Sequence, residues 1–173
     1  MIIPEVVAGY KVFYGEGSED MLGVADVTLP DIEPQKVELG GVGLLGKTEI
    51  PLIGHIGALN MTIKFRTITN KMNVFAKPVA HIVSLRGGIQ VTNSQNGIRS
   101  IQDIRIDVVG SAMKTSLGKF LIGEGTDSSV DLSLTKIKVL VDSFEFLEID
   151  KFNNIYKVDG VSVLDDINRA MGV

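Results

Sequence analysis

The residues best placed by type and spacing to do chemistry are Gly41-Val42-Gly43-Leu44-Leu45-Gly46-Lys47-Thr48, a complete match to the nucleotide-binding P-loop pattern. That chemistry needs backbone N–H groups wrapped round phosphates, a Lys on the outer phosphates, a hydroxyl on Mg²⁺ and a helix growing from the motif. Here Glu49-Ile50-Pro51-Leu52-Ile53-Gly54 follows, with Pro and Gly where that helix must grow. Val139-Leu140-Val141-Asp142 imitates an acidic metal-holding strand, but the alternating strands and helices of a parallel α/β sheet are missing. Chance matches to so short a pattern are ordinary. A P-loop nucleotide-binding protein therefore stands only as an alternative reading.

Other chemistry is thinner. His55 and His81 are the only histidines, and neither sits in HExxH or near an acidic cluster, so both read as ordinary partly buried histidines. Glu145, Glu148 and Asp150 could form a carboxylate group, yet strand alternation puts Glu145 and Asp150 on opposite faces unless a bend intervenes. A solvated edge is the expectation there. Gly123 to Ser129 has too few alternating acids for a calcium loop and reads as a turn. There is no GxSxG elbow, and without Cys there is no thiolate nucleophile, disulfide or Cys-ligated zinc. No catalytic residue, metal or cofactor is expected.

The elements that must carry these residues are mostly strands. The 173 residues suit one domain, 1–173, large enough for a sizeable core. Hydrophobic residues at 45% and charged residues at 22% disfavour disorder. Net charge is −4 with no basic block, which argues against holding duplex nucleic acid by counterion release. The opening Met1-Ile2-Ile3-Pro4-Glu5 lacks a signal-peptide pattern, and no apolar run approaches a membrane span, so synthesis in the cytoplasm is expected.

Nineteen Gly in short clusters fit many strands joined by bends. Tyr10 to Tyr14 and Gly23 to Leu29 read as a hairpin with a polar tip at 15–20. In Asn60 to Ile68, Met61, Ile63 and Phe65 oppose Thr62, Lys64 and Arg66; in Asp103 to Val108, Ile104, Ile106 and Val108 oppose Asp103, Arg105 and Asp107. Both are period-two strands with one wet face. Val130 to Asp150 changes parity between Val141 and Phe144, which predicts a bulge or sharp bend near Asp142-Ser143. A short helix is expected after Thr69-Asn70, carrying Met72, Phe75 and Ala76 and stopped by Pro78. A second follows Gly160, with Ser162 and Asp165 in capping-box spacing, Leu164, Ile167 and Met171 on one face, and Gly172 closing it.

Pro30 to Lys47 is the anomaly. A connection this long is usually functional or disordered, and Val37, Leu39, Val42, Leu44 and Leu45 make it too apolar for disorder. It must be covered by a partner or fold back on its own core.

Leu22-Gly23-Val24-Ala25-Asp26-Val27-Thr28-Leu29-Pro30, the Gly-Gly-x-Gly run at Gly40 to Gly43 followed by Ile50-Pro51-Leu52, and the close from Leu147-Glu148-Ile149-Asp150 to Val173 together resemble the major tail tube proteins of contractile phage tails. The ending is the most specific part: Glu148-Ile149-Asp150, then Tyr156-Lys157-Val158-Asp159-Gly160-Val161, then a terminal helix through Arg169. The middle, Thr69 to Gln95, does not align residue for residue.

The resemblance implies a mainly β fold of two packed antiparallel sheets with a short internal helix and a C-terminal helix. It implies homohexameric rings closing one continuous inner β-barrel and stacking into a tube within a contractile sheath. Function is then mechanical, a conduit driven through a target envelope by sheath contraction. Carried over from the family, inter-ring contact falls on Val37, Leu39, Gly40, Gly41, Val42, Gly43, Leu44, Leu45, Gly46 and Lys47 in a long inter-subunit loop at about 30–48, and on Ile2 and Ile3. The two wet faces supply candidate lumen residues: Thr62, Lys64 and Arg66, and Asp103, Arg105 and Asp107. Implied partners are further copies of the chain, the sheath protein, baseplate and terminator proteins, and DNA passing through without stable binding; no membrane anchor is implied. A phage virion tail, a headless bacteriocin and a secretion tube would all use such a subunit. A monomeric β-sandwich binding module remains the second alternative.

Overall fold

The computed structural model describes every residue except Glu16, Gly17, Ser18, Met21, Leu22, Val42, Leu44 and Val173. Strands dominate: β1 Ile2–Tyr14, β2 Glu19–Asp20, β3 Val24–Thr28, β4 Pro34–Leu39, β5 Thr48–Ile56, β6 Leu59–Phe65, β7 Ala80–Asn93, β8 Arg99–Ser116, β9 Ser128–Val141, β10 Phe144–Asp150, β11 Ile155–Val158 and β12 Val161–Ser162. A 3₁₀ turn spans Met72–Ala76, and one α-helix, α1, spans Asp165–Met171.

Two antiparallel sheets result, of very unequal size. The large one runs β12-β11-β10-β9-β8-β7-β1-β2, with β6 also on β9 and β3 on β6. The small one is β4 with β5 alone. β9 makes the branch, because its residues Ser128 to Leu134 pair with β6 and Lys136 to Val141 pair with β10. A bulge at Thr135 switches which residues face inward, from Val130, Leu132 and Leu134 to Ile137. Buried side chains from β1, β6, β7, β8, β9 and β10 share one cluster, so the large sheet curls round its own core instead of packing on a second sheet of equal size.

The alternating runs behave as expected. Leu59, Met61, Ile63 and Phe65 are buried on β6, as are Ile106 and Val108 on β8. Asp142 and Ser143 both take left-handed backbone and form the tight β9–β10 turn at the expected bend. The Asp142 carboxylate fixes that turn by accepting from the Asp103 amide at 3.1 Å and from Gln102 Nε2 at 2.8 Å.

Four expectations change. The Tyr10–Tyr14 and Gly23–Leu29 runs do not pair as a hairpin: β1 lies along β7 over nearly its whole length, and β3 lies on β6. Among the described residues, backbone pairing of β1 with β2 is confined to Phe13 and Tyr14, across a turn whose tip at 16–18 lies outside the described residues. The Pro30–Lys47 stretch is no irregular loop, since β4 pairs with β5 from Pro34↔Ile56 to Leu39↔Thr48 as a projecting hairpin. His81 is fully buried: Lys77 carbonyl can only accept, so Nε2 carries the proton, and Nδ1 accepts from Tyr14 hydroxyl at 2.9 Å. His55, by contrast, is exposed on β5.

Candidate assembly surfaces

The apolar residues of the β4–β5 hairpin have no cover in the single chain. Every described residue of β4 is exposed, as are Ile50, Leu52 and Ile53 on β5, and none belongs to the core. At the tip Leu45 is 110% exposed, while Lys47 Nζ reaches Glu38 across the hairpin at 2.6 Å. The arm therefore does not fold back on its own core. Thr48 opens a strand where a P-loop would open a helix, and Lys47 is held by a carboxylate, so the nucleotide-binding arrangement is not formed. Gly40, Gly41, Gly43 and Gly46 lie with Leu45 in the tip; Val42 and Leu44 lie outside the described residues.

The base of the arm is fixed where Gly54 meets α1. Its backbone is left-handed, and a Cβ there would stand 2.6 Å from Leu164 Cδ2. Only Gly lets β5 turn and approach the helix so closely.

A second open surface is the edge of β1. Ile2 and Ile3 are not a free arm but pair with Asn93 and Thr92 of β7. On the other edge of β1, strand pairing among the described residues is confined to Phe13 and Tyr14, which leaves a long row of backbone donors and acceptors from Ile2 onward. Such an edge is a template for another strand. Glu5 sits at a bulge there and accepts from Gln90 and Thr92; the Thr92 bond, then the Gln90 bond, hold its carboxyl below the usual range.

The third surface is charged. Ser84, Asp107, Lys138, Glu148 and Lys157 lie directly opposite one another on β7 to β11 and share the outward face. Asp107 accepts from Ser84 Oγ at 2.6 Å and pairs with Arg105 at 2.9 Å. A bulge at Phe146 reverses parity within β10, so Glu145, Glu148 and Asp150 come to one face after all. They are not a solvated edge, for Glu148 is 8% exposed and Asp150 5%. Lys138 stands 2.8 Å from Glu145 and 3.6 Å from Glu148; Lys136 stands 3.4 Å from Asp150; Lys157 stands 3.9 Å from Glu148. Interleaved lysines thus neutralise the carboxylates, and no metal-holding cluster occurs among the described residues. Sequence alternation missed this lattice because the bulge is invisible in it.

The hydrogen bond to Glu145 raises Lys138 above its usual range against the opposing effect of burial, and the same bond lowers Glu145. Burial acts most strongly on Asp150, upward, but bonds from Asn153 and Lys136 together bring it below the usual range. Carboxyls lowered by folding stabilise above their ordinary value of about 4 and lose that contribution as pH falls through the folded value. A raised lysine stabilises fully below its ordinary value of about 10.4 and loses the contribution above it. Lys138→Met should therefore lower the melting temperature near neutrality more than at pH 3; equal drops in thermal melts at both would contradict the lattice.

The two lumen candidates are not brought together. Thr62 donates to Asp131 at 2.7 Å, Lys64 reaches Asp26 at 3.9 Å, and Arg66 follows just beyond β6, all beside the start of β9. Asp103, Arg105 and Asp107 lie at its far end, where Arg105 opposes Leu140. With Lys64 opposite Ser129, the strips lie about 35 Å apart along the strand.

The family model for phage tail tube protein FII matches residues 4–172. The tail tube protein of Escherichia phage P2 is 26% identical over 156 residues, covering 87% of this chain and 88% of that one. In fold, the chain is similar to a chain of the sheath-tube complex of an extracellular contractile injection system in its extended state, with TM-score 0.50 and 15% identity over 80% of this chain and 90% of that chain. A chain of the sheath/tube terminator assembly of such a system gives 0.52 and 14%, over 79% and 96%. With nearly its whole length matched, this chain belongs to the phage tail tube protein family.

Proposed function

We propose that this chain is the structural subunit of the inner tube of a contractile tail, polymerising as stacked six-chain rings inside a sheath whose contraction drives the tube through a target envelope. The observations that carry the reading are the uncovered β4–β5 arm and the open β1 edge. Ring closure pairs the β1 edge with a neighbouring copy and completes an inner barrel that the single chain leaves open. The arm, with Val37, Leu39 and the Gly40–Lys47 tip, spans to the next ring, and Ile2 and Ile3 lie at the ring border. A contact of this heterologous kind propagates as an open filament.

The lumen wall is the face bearing Asp103, Arg105 and Asp107, continuous with the lysine–carboxylate lattice, and the Thr62, Lys64 and Arg66 strip lies elsewhere on the subunit. Charges already paired within the wall leave little net attraction for a sliding polyanion, whereas an unpaired basic stripe would bind DNA ring after ring. The subunit performs no covalent chemistry; its partners are its own copies, the sheath, the terminator and the baseplate. Its place is a virion tail or a tail-like particle, assembled in the bacterial cytoplasm. Native mass spectrometry should find six-chain rings, and a species that stays single as concentration rises would sink the proposal.

A further inference from the structure

One apolar feature has no place in that scheme. The β8–β9 connection carries Phe120, 88% exposed, and Ile122, 106% exposed, with Leu117 and Leu121 also uncovered. Yet its stem is tightly built. The Lys119 amide donates to Thr126 carbonyl at 3.0 Å, the Thr126 amide to Arg66 carbonyl at 2.9 Å, and Ser128 Oγ to Leu117 carbonyl at 2.9 Å. Gly118 is left-handed, and a Cβ there would stand 1.7 Å from the Thr126 carbonyl oxygen, so no other residue fits that crossing. A braced stem holding apolar side chains in water lowers the ordering cost of a contact.

A matching groove of about 430 Å³ lies at the base of the arm, lined by Gly54, Ile56, Tyr156, Leu164, Ile167 and Met171. Its position relative to the knob follows from pairing. The knob is tied to the Phe65 end of β6 through Arg66, whereas the groove is tied to the Leu59 end, where Lys151 bonds to Gly57 and Thr135 carbonyls. Six residues of strand separate those ends by about 20 Å. The knob cannot reach the groove of its own chain, and the arm springs from the groove end.

We infer that the Phe120–Ile122 knob of one copy seats in the groove between β5 and α1 of a second copy, head to tail, in the ring above or below. The inference rests on the tube reading and adds a contact to it. Charge favours the same pairing. The knob end carries Arg66, Lys71, Lys77 and Lys119 against Glu124 and Asp127, while the arm and its approach carry Asp31, Glu33, Glu38 and Glu49 against Lys36 and Lys47. Because knob and groove differ and lie at opposite ends, the contact repeats without closing.

The test uses the full chain. In F120S/I122S the altered residues are exposed, so melting and ring mass should match the parent while mean tube length in electron micrographs falls at least tenfold; parent-length tubes would overturn the inference. The chain has no Cys, so I122C/M171C isolates the contact. Oxidised tubes should yield a covalent ladder of chains where each single variant yields at most dimers. Tubes without a ladder would overturn the inference and leave the tube reading standing; an unaltered chain that forms no rings would overturn both.

Discussion

Replacing Gly40–Lys47, the eight residues between the paired Leu39 and Thr48, by an Asn-Gly turn is expected to abolish tubes while leaving folded subunits that still form rings. The new turn keeps the β4–β5 pairing, because Asn-Gly supplies the left-handed pair a two-residue hairpin needs. What it removes is the apolar tip, in which Leu45 has no cover in the single chain. Burying one leucine side chain contributes about 2 kcal/mol, and every subunit of a ring presents its own arm, so loss across one ring-to-ring interface is on the order of 10 kcal/mol. Stacking cannot absorb a loss of that size. Electron microscopy with thermal melts reads both halves of the expectation, and long tubes from the shortened arm would remove the arm from the assembly mechanism.

Phe75→Ala should cost about 3–5 kcal/mol of folding stability, the upper range for truncating a buried side chain. Phe75 is fully buried beneath the 3₁₀ turn, with ring centroids 5.0 Å from His81, 5.6 Å from Tyr14 and 6.5 Å from Phe65. Its removal leaves a cavity against His81, whose two ring nitrogens are already committed to Tyr14 and Lys77, so the ring is not free to move into the space. Denaturant midpoints measure the loss. A cost under about 1 kcal/mol would mean that the site collapses freely. Since Phe75 contributes nothing to the arm or the β1 edge, any variant protein that remains folded should still assemble.

The contrast between these residues shows what the sequence could reveal. β6 and the Ile104–Val108 part of β8 are legible because one face is buried and the other wet; the turn carrying Met72 and Phe75 is legible as a short element before Pro78, although it is 3₁₀ and begins after Lys71 with no side-chain cap from Thr69 or Asn70. β7 is not, because Gly87-Gly88 interrupts it and Val83, Ser84 and Leu85 are buried in succession. Those glycines answer to partners far along the chain, for a Cβ on Gly87 would meet the Gly9 carbonyl at 3.0 Å and one on Gly88 would meet Ile101 at 2.7 Å. The same limit explains the misassigned β1–β3 hairpin: two β-prone runs around a polar turn do not state that each prefers a distant strand.

At the candidate site, the arm was visible as too many apolar residues in a long connection. Its strand character was not, since β4 is exposed on both faces and shows no burial period. The Glu145–Asp150 lattice needed the Phe146 bulge, and the Phe120–Ile122 knob is a three-residue apolar run before the Gly123–Ser129 turn, too short for its sequence to state its exposure.

A subunit completed only by its own copies makes one direct demand. Purified chain concentrated without any other component and imaged by electron microscopy should form hollow tubes of stacked rings. Discrete single-chain particles at millimolar concentration, with the β4–β5 arm still uncovered, would contradict the account.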